Sequence, residues 1–296
     1  MTTRHPHDLW VRENQDDHFE VAYRVEQVLF SQRSDYQQVD IVQTTDHGRM
    51  LVNDGIVMLC ERDEFIYHEM IAHVPMFVHP APRHVLVVGG GDGGTAREIL
   101  RHAALQRLVM VEIDAVVVQA CREYLPSVGS AFDDPRLELR FEDAVDYVAG
   151  TDRRFDVVII DSTDPVGPGV GLFGRSFYEN TARLLNPGGI MITQSESPFY
   201  DLHDLQPAMF ANQRPFFKRL HMYLYTTLAY PGGLYSFGFA SQKPHPLKDL
   251  RPQKVRASGI DFRYYNPDIH RAAFMLPTFV TENLGEVLDP LRWSPK

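Results

Sequence analysis

The sequence predicts an α/β fold in which a small N-terminal β domain precedes a Rossmann-like domain with a doubly wound, mostly parallel sheet. Short Val- and Ile-rich runs alternate with helical segments from residue 83 onward, which is typical of a sheet buried between two layers of helices. A glycine-rich turn follows the first of these runs. The preceding residues instead alternate apolar and polar side chains, which indicates hairpins. We place the β domain at residues 1–78 and the Rossmann-like domain at residues 79–296.

The elements of the β domain follow from alternation and from turn residues. The sequence Asn53-Asp-Gly55 between two apolar runs is a strong hairpin signal. A helix is predicted at 64–78, where apolar residues recur at helical spacing, and the Pro-rich segment 79–82 marks a boundary. The predicted strands are 23–30, 38–43 and 50–59, the last divided by the turn.

The Rossmann-like domain is predicted from five buried strands. They are 84–88, 107–111, 137–141, 155–160 and 189–193. Aromatic alternation resumes at 219–241, where Tyr230-Pro-Gly-Gly233 forms a turn between two further strands.

Length and composition are those of a globular enzyme. The 296 residues are 44% hydrophobic and 23% charged. No apolar run approaches the ~20 residues that span a bilayer, and the N terminus lacks the apolar segment of a secretory signal. We therefore expect a cytoplasmic protein without a membrane partner.

Charge and metal-ligating residues narrow the choice of partners. A formal net charge of −10 disfavours nucleic acid, whose binding depends on Lys and Arg, and suits a cationic partner. Cys60 and Cys121 are isolated, so neither a disulfide framework nor a zinc site is indicated. His68 and His73 are five residues apart, whereas the zinc-protease helix motif needs four. No metal site is expected.

The turn Gly89–Gly94 carries most of the functional information. Its first, third and sixth residues fit the G-x-G-x-x-G spacing, which brings backbone close to a ligand at the start of a helix, here 95–101. Asp92 inside the turn would repel a pyrophosphate, whereas it could attract a cationic ligand that lacks phosphate. Glu112 follows twenty positions later, where nucleotide folds place a ribose-binding acid. The turn therefore indicates a cationic nucleoside; the alternative is that Asp92 only caps the helix.

Acidic residues end four successive predicted strands. Ligands of open α/β sheets bind at the carboxyl ends of the strands, so these acids are candidates for one shared site. The alternative for any one of them is an Asx turn or a helix cap. The four are Asp92, Glu112, Asp143 and Asp161.

The segment Asp161-Ser-Thr-Asp164 is the second strong feature. Two carboxylates three residues apart beyond a buried strand can face one cavity, where one accepts a proton from a nucleophile and the other holds the substrate's charge. An alkylamine nucleophile needs a group that accepts its proton, because it is almost wholly protonated at neutral pH and the ammonium has no lone pair. The alternative is a loop in which Asp161 caps a turn and Asp164 only precedes a proline.

Together these features resemble the polyamine aminopropyltransferases, the spermidine synthase family, from about Val25 to Leu276. The family transfers a 3-aminopropyl group from decarboxylated S-adenosylmethionine to an amine, leaving 5'-methylthioadenosine and a proton. The resemblance implies a methyltransferase-like fold and this reaction, with putrescine as the expected acceptor and spermidine as the product. The matching motifs are Glu61–Met70, Gly89–Gly94, Val111–Asp114, Asp161–Pro165 with Gly167-Pro168, and Tyr264–His270.

The resemblance also implies roles for individual residues. Asp161 matches the family's proton acceptor, Asp92 would hold the ammonium of the aminopropyl group, and Glu112 would bind the ribose hydroxyls. The remaining residues expected at the nucleoside are Gln37, Asp143, Ala144 and Pro168, and those expected around the amine are Tyr67, His68, Asp164, Gln194 and Tyr230.

Several positions near the expected acceptor groove depart from the family pattern. Asn53 and Met58 lie in a segment where members commonly carry leucine and glutamine, and Leu228-Ala229 replaces a more usual Pro-Thr. Tyr235 stands where some members carry Trp. These departures concern the acceptor, which the sequence leaves open among putrescine, agmatine, cadaverine, spermidine and related amines.

Three other functions share parts of this pattern. An S-adenosylmethionine methyltransferase has the same sheet and glycine turn, but Asp92 would oppose the donor's carboxylate if placed beside it. A non-catalytic polyamine-binding protein could enclose a cation with the same acids, although the Asp161 and Asp164 pair argues for turnover. An NAD-dependent dehydrogenase is disfavoured because Asp92 would repel the pyrophosphate.

Partners and cofactors follow from the main interpretation. The expected partners are a small amine and decarboxylated S-adenosylmethionine, which is a co-substrate, so no cofactor is expected. The resemblance and the edge strands of the β domain indicate a homodimer or a homotetramer.

Overall fold

The computed structural model describes residues 9–15, 19–162 and 167–291. Its N-terminal part is a five-stranded antiparallel sheet in which each strand pairs with the next one in the chain. Apolar side chains such as Ile41 and Leu51 extend from this sheet into the main core, whereas Met50 and Val52 belong to a smaller core of their own. The strands are β1 (Leu9–Gln15), β2 (Phe19–Arg33), β3 (Gln38–Thr44), β4 (Arg49–Asn53) and β5 (Ile56–Cys60).

The larger sheet has seven strands in the order β11-β12-β10-β9-β6-β7-β8. Strands β6 to β10 are parallel to one another, and β12 runs antiparallel to both of its neighbours. The parallel strands are Val- and Ile-rich because both faces of the sheet are covered. The strands are β6 (His84–Gly89), β7 (Arg107–Glu112), β8 (Leu137–Phe141), β9 (Phe155–Asp161), β10 (Leu185–Gln194), β11 (Arg219–Thr226) and β12 (Leu234–Ser241).

Nine α-helices and three 3-10 helices lie within the described ranges. Asp114, Asp143 and Asn266 cap three of the α-helices through side-chain oxygens. The α-helices are α1 (Glu64–Val78), α2 (Gly94–Leu100), α3 (Ala115–Tyr124), α4 (Ala144–Gly150), α5 (Arg175–Leu184), α6 (Leu205–Gln213), α7 (Pro252–Arg256), α8 (Pro267–Ala273) and α9 (Thr278–Leu284); the 3-10 helices are Gly129–Asp133, Gly167–Phe173 and Arg214–Phe216.

Helix α1 connects the two sheets and is almost entirely buried. It packs against α2 and against β10 and β11 of the larger sheet. Buried Glu69 secures a distant segment to this helix, because its carboxylate accepts hydrogen bonds from the backbone N–H groups of Arg263, Tyr264 and Tyr265 at 2.6–2.9 Å. The helix therefore joins the larger sheet to the segment 263–265.

The fold class predicted from the sequence is confirmed, with each predicted strand of the larger sheet and the helix at 64–78 in place. Strand β2 is longer than predicted because its ends are exposed, so apolar alternation does not mark them. The division of the chain at residue 78 stays a prediction. No helix in the part of the chain that the structure describes is long and apolar enough to cross a membrane.

Candidate active site

The candidate site lies where the strand order reverses, between β6 and β9. Chain connections leave an open α/β sheet in opposite directions at such a point, and a crevice forms at the strand ends. Asp161 ends β9, and its carbonyl accepts a hydrogen bond from Gly90 N at 2.8 Å. Gly89 has a positive φ of 78°, and a Cβ there would overlap that carbonyl, so only glycine fits. The glycine turn is thus fastened directly to Asp161.

Asp161 is 9% exposed, and its two carboxylate oxygens differ in their surroundings. Oδ1 accepts a hydrogen bond from the hydroxyl of Tyr67 at 2.5 Å. Oδ2 has no hydrogen-bond partner among the described residues. Burial, together with the negative charge of Asp92, raises the pKa of Asp161. A buried carboxylate of raised pKa with one oxygen open is suited to accepting a proton.

Asp92 forms two contacts inside the glycine turn. Its Oδ1 accepts a hydrogen bond from Gly94 N at 2.6 Å and lies 3.2 Å from Nε2 of His68. Asp92 therefore binds the first N–H of α2, although the N-cap residue of that helix is Gly93, and it also faces a charged partner. The ring of His68 is packed so tightly on the turn that a Cβ at Gly94 would overlap it.

Sequence reasoning missed the two residues behind His68. Glu64, the first residue of α1, lies 2.5 Å from Nδ1 of His68, and Arg97 donates to both oxygens of Glu64 at 3.1 and 2.8 Å. The Glu-x-x-x-His spacing within α1 is a signal that could have revealed the first contact, because residues four apart share one helix face. Arg97 is 33 residues from Glu64 and could not be paired with it by spacing.

The expected nucleoside side of the site is built around the end of β7. Oε1 of Glu112 accepts a hydrogen bond from Asp114 N at 2.9 Å, and burial raises the pKa of Glu112 to about 7. Asp114 caps α3 and also accepts hydrogen bonds from Gln37 Nε2 at 3.0 Å and Ser34 Oγ at 2.7 Å. Gln37, which follows β2, thereby reaches this edge of the larger sheet. A Cβ at Gly91 would lie 2.8 Å from Oε2 of Glu112, so the turn passes directly over the acid.

The other residues expected at the nucleoside make fewer side-chain contacts with the rest of the site. Asp143 is exposed and accepts a hydrogen bond from Val145 N at 2.7 Å, which makes it a helix cap whatever else it binds. Ala144 is buried at the first turn of α4. Pro168 lies on the 3-10 helix Gly167–Phe173, and Asp164 lies outside the described residues.

An aromatic cluster borders Asp161 on the expected acceptor side. The ring of Tyr67 lies edge-on to those of Tyr225, Phe237 and Tyr230, with centroids 5.5, 5.1 and 6.4 Å away. Tyr230 is half-buried and donates from its hydroxyl to the carbonyl of Met58 at 2.6 Å. Burial raises the pKa of Tyr67 and of Tyr230 well above its ordinary value, so both remain neutral donors.

Polar atoms without partners also occur in this region. Gln194 ends β10 and is 9% exposed, and its Oε1 has no hydrogen-bond partner among the described residues. Asn53, one of the departures from the family pattern, is buried at the end of β4, and its Oδ1 is likewise without a described partner. Each of these two amide oxygens could accept a hydrogen bond from a polar ligand.

Asp63 positions the loop that carries Tyr230, another contribution that the sequence did not reveal. Its Oδ2 accepts hydrogen bonds from Thr227 Oγ1 at 2.9 Å, Leu228 N at 2.5 Å and Ala229 N at 3.3 Å. Ala229 packs into the small core of the N-terminal sheet. Leu228 and Ala229, which replace the more usual Pro-Thr of the family, therefore lie in a loop that is held through their backbone N–H groups.

Two family models match the chain. One, the spermine/spermidine synthase domain, covers residues 64–250, and the other, the spermidine synthase tetramerisation domain, covers residues 9–61. The chain belongs to the spermine/spermidine synthase family. The resemblance inferred from the sequence motifs is thereby confirmed.

Relatives and solved structures agree with this assignment over almost the whole chain. The polyamine aminopropyltransferase of Alkaliphilus metalliredigens is 42% identical over 279 residues, 94% of this chain and 98% of the relative. That of Moorella thermoacetica is 44% identical over 277 residues, 93% and 96% of the two chains. A crystal structure of spermidine synthase in complex with the transition state analogue AdoDATO has a TM-score of 0.92 at 40% identity, covering 96% of this chain and 97% of the other. Spermidine synthase from Thermotoga maritima has a TM-score of 0.91 at 39% identity, covering 96% of each chain.

Membership of the family decides between the functions that the sequence left open. The chain is an enzyme of the aminopropyltransferase type, and the methyltransferase, binding-protein and dehydrogenase interpretations are set aside. The comparisons do not assign a role to any single residue, so the roles of the site residues remain predictions. Among the described residues, no group of three His, Cys, Asp or Glu side chains could hold a metal ion.

Proposed function

We propose that the enzyme transfers the 3-aminopropyl group of decarboxylated S-adenosylmethionine to putrescine, giving spermidine and 5'-methylthioadenosine. The observation that carries this proposal is the setting of Asp161, a buried carboxylate at the reversal point of the sheet with one oxygen held by Tyr67 and the other without a described partner. A cationic amine that must lose a proton before it attacks fits that arrangement.

The chemistry would be a single displacement. As Asp161 takes a proton from the ammonium of the acceptor, the amine nitrogen gains a lone pair and attacks the aminopropyl carbon bonded to the sulfonium. A C–N bond forms and the C–S bond breaks, with its electron pair passing to sulfur. The sulfonium becomes the neutral thioether of 5'-methylthioadenosine, and the proton on Asp161 passes to solvent.

The charges around Asp92 support its proposed role in holding the donor's ammonium. With His68 protonated, the connected cluster holds three positive charges, on Arg97, Arg101 and His68. It holds four negative ones, on Glu64, Glu98, Asp92 and Asp161. One negative charge is left over, which favours a cation and opposes a carboxylate. Decarboxylated S-adenosylmethionine ends in an ammonium without a carboxylate, so it suits the site better than S-adenosylmethionine does.

We propose that the nucleoside lies along the end of β7. Glu112, half-buried under the glycine turn, would accept hydrogen bonds from the ribose hydroxyls, and Gln37 would approach from the N-terminal sheet. Asp143, Ala144 and Pro168 would border the base.

We propose that the acceptor lies beside the aromatic cluster. Tyr67 and Tyr230, whose ring centroids are 6.4 Å apart, would flank its methylene groups, and Gln194, whose Oε1 has no described partner, would contribute a polar contact. His68, which the resemblance assigns to the surroundings of the amine, would border the acceptor next to Tyr67. Asp164 would hold the distal ammonium, and this part of the proposal rests on the sequence alone.

Assembly, cofactor use and location are further parts of the proposal. The match of residues 9–61 to a tetramerisation domain supports a homo-oligomer, as do exposed apolar side chains of the N-terminal sheet, including Leu9, Trp10 and Val28. We propose a homotetramer or a homodimer that needs no cofactor and works in the cytoplasm. Sedimentation equilibrium would give the number of subunits.

The function is tested by incubating the purified protein with decarboxylated S-adenosylmethionine and a panel of amines. The panel consists of putrescine, agmatine, cadaverine and spermidine, and mass spectrometry identifies the products. We expect 5'-methylthioadenosine and spermidine to appear in equal amounts, with putrescine giving the highest kcat/KM. A higher kcat/KM for another amine would replace putrescine as the acceptor, and transfer to none of the four would contradict the proposal.

A further inference from the structure

Glu64 stands out because it is buried, charged and outside the residues expected to touch substrate. It is 7% exposed, and the guanidinium of Arg97 engages both of its oxygens. Such a two-pronged pair fixes the orientation of the carboxylate as well as its charge. The pKa of Glu64 is lowered to about 2, since hydrogen bonds and charges from His68 and Arg97 outweigh the effect of burial. Glu64 is therefore a fixed anion throughout the physiological pH range.

The hydrogen bonds of His68 determine its protonation state. Nδ1 faces Glu64 at 2.5 Å and Nε2 faces Asp92 at 3.2 Å. An ionised carboxylate only accepts hydrogen bonds, and a ring placed between two of them is best matched by the imidazolium, which alone has two N–H groups. The pKa of His68 agrees: burial lowers it, but Asp92 and Glu64 more than compensate and bring it to about 10.

The cation on His68 has a consequence for Asp161. Burial and the charge of Asp92 raise the pKa of Asp161, whereas the charge of His68 lowers it. Without the imidazolium, two carboxylates would face each other across a buried site, and one of them would keep its proton at neutral pH. A protonated Asp161 could not accept a proton from the amine. The charged and titratable groups around His68 are Glu64, Arg97, Asp92, Asp161 and Tyr67.

We propose that Glu64, oriented by Arg97, is a positioning residue of the transfer reaction, because it holds His68 as a doubly donating cation that allows Asp92 and Asp161 to be charged at the same time. This inference rests on the proposed function, in which Asp161 accepts the proton. Glu64 acts through His68 and has no contact with the reacting atoms in this scheme.

The first test is the pH dependence of kcat/KM in Glu64→Gln. The glutamine keeps the size of the side chain and removes its charge, so His68 loses one of the two anions that hold its proton. We expect the acid limb of the profile to move upward by at least one pH unit and the rate at pH 7 to fall on the order of tenfold, with recovery as the pH is raised. An unmoved acid limb in folded, active Glu64→Gln would overturn the proposal.

Glu98 provides a matched control on the same pair of helices. It is 2% exposed, accepts a hydrogen bond from Arg97 Nε at 2.9 Å and lies 3.0 Å from Nε2 of His73. Glu98→Gln therefore removes an equally buried histidine–glutamate pair whose histidine, His73, is not paired with Asp92 or Asp161, and it leaves both bonds from Arg97 to Glu64 available. We expect this variant to lose thermal stability while its pH profile keeps the wild-type shape. The same profile shift in both variants would mean that Glu64 has only a structural role.

The second test needs no variant enzyme and no activity. With 13Cε1-labelled histidine, the NMR signal of His68, assigned by its loss in His68→Asn, should show the imidazolium from pH 6 to pH 9 in the wild-type protein. A neutral ring at pH 8 would overturn the proposal even if Glu64→Gln does not fold. Absence of aminopropyl transfer by the wild-type enzyme would instead contradict the proposed function, and with it the catalytic meaning of a charged His68.

Discussion

Asp161 has one oxygen engaged by Tyr67 and one without a hydrogen-bond partner among the described residues, and this asymmetry leads to a direct prediction. Asp161→Asn should lower kcat by about 10²–10⁴-fold, because an amide cannot take the amine's proton. Binding of the donor, measured by calorimetry, should change little. Asp146→Asn, an exposed position on α4, is the control and should retain wild-type kinetics. Wild-type turnover in Asp161→Asn would assign the base elsewhere.

Asp92 leads to a prediction about donor choice. Decarboxylated S-adenosylmethionine should bind more tightly than S-adenosylmethionine by several kcal/mol, on the order of the cost of an unpaired buried charge. Asp92→Asn should narrow this difference by weakening the decarboxylated donor selectively. Isothermal titration calorimetry with both nucleosides measures the difference, and equal affinities for the wild-type protein would contradict the prediction.

Individual site residues could be predicted from the sequence where they belong to a recognisable motif. They could not be predicted where they act through tertiary contacts. The tyrosine and histidine of the motif Glu61–Met70 could be placed near Asp161 by resemblance. In the structure Tyr67 donates to Asp161, and the ring of His68 lies edge-on to that of Tyr67. Arg97 could not be foreseen, because its partner Glu64 lies 33 residues away in the chain. The hydrogen bond between Gln37 and Asp114 spans 77 residues and is equally invisible to spacing arguments.

The contact between α1 and the first turn of α2 is the element on which the site depends most. A Cβ at Gly94 would overlap the ring of His68, so Gly94→Ala should separate the two helices or displace the ring. We expect a loss of about 1–3 kcal/mol of stability from overpacking, together with a large loss of kcat. Urea unfolding and steady-state kinetics measure the two effects.

Gly150, the last residue of α4, is the matched control for this substitution. A Cβ there meets no atom within 4 Å, and alanine favours helix over glycine. Gly150→Ala should leave activity unchanged and be neutral or slightly stabilising. Equal behaviour of the two variants would show that the close approach at Gly94 has no functional consequence.

Helices and strands could be predicted from the sequence where one or both of their faces are buried, because burial leaves an apolar pattern. The parallel strands are continuous apolar runs, and the helix at 64–78 is bounded by Pro-rich sequence, so both could be located from the sequence. The turn predicted at Tyr230–Gly233 is present, with Gly233 N donating to the carbonyl of Tyr230 at 3.1 Å. The path of residues 227–229 could not be predicted, because Asp63 fixes it through hydrogen bonds to a side chain and two backbone groups from a distant part of the chain. Such a loop is determined by its partners and not by its own composition.

For the molecule as a whole, buried histidines set the limits of stability in acid. Burial lowers the pKa of His221 and of His270 from 6.5 to about 4 in the folded state. A folded-state pKa below the unfolded one means that stability is fully present above pH 6.5 and is lost as the pH falls toward 4. His68 has the opposite sign: its contribution is full below pH 6.5 and is lost as the pH rises through about 10. The contributions of these three histidines should therefore add up to the highest stability near pH 6.5.

The acid limb of this dependence can be measured at His221. A shift of one pKa unit corresponds to about 1.4 kcal/mol. Protonation of His221 in the unfolded chain should therefore lower the free energy of unfolding of the wild-type protein by about 2 kcal/mol at pH 5. His221→Gln should reduce the stability difference between pH 7.5 and pH 5 by that amount in urea unfolding at one fixed protein concentration. His203→Gln, at an exposed position, should leave the difference unchanged. An unchanged difference in His221→Gln would show that this ring does not limit stability in acid.

The seating of Ala229 in the small core of the N-terminal sheet bears on how this molecule can be recombined with its relatives. The loop that carries Tyr230 is held by Asp63 and by the hydroxyl of Tyr23, which donates to the carbonyl of Ala229 at 3.0 Å. A chimera that exchanged only the N-terminal segment would therefore also alter the groove of the larger domain. A chimera should acquire the acceptor preference of a relative only when both the N-terminal sheet and this loop are taken from that relative. Asp63 and Ala229, which link the two, are 166 residues apart in the chain.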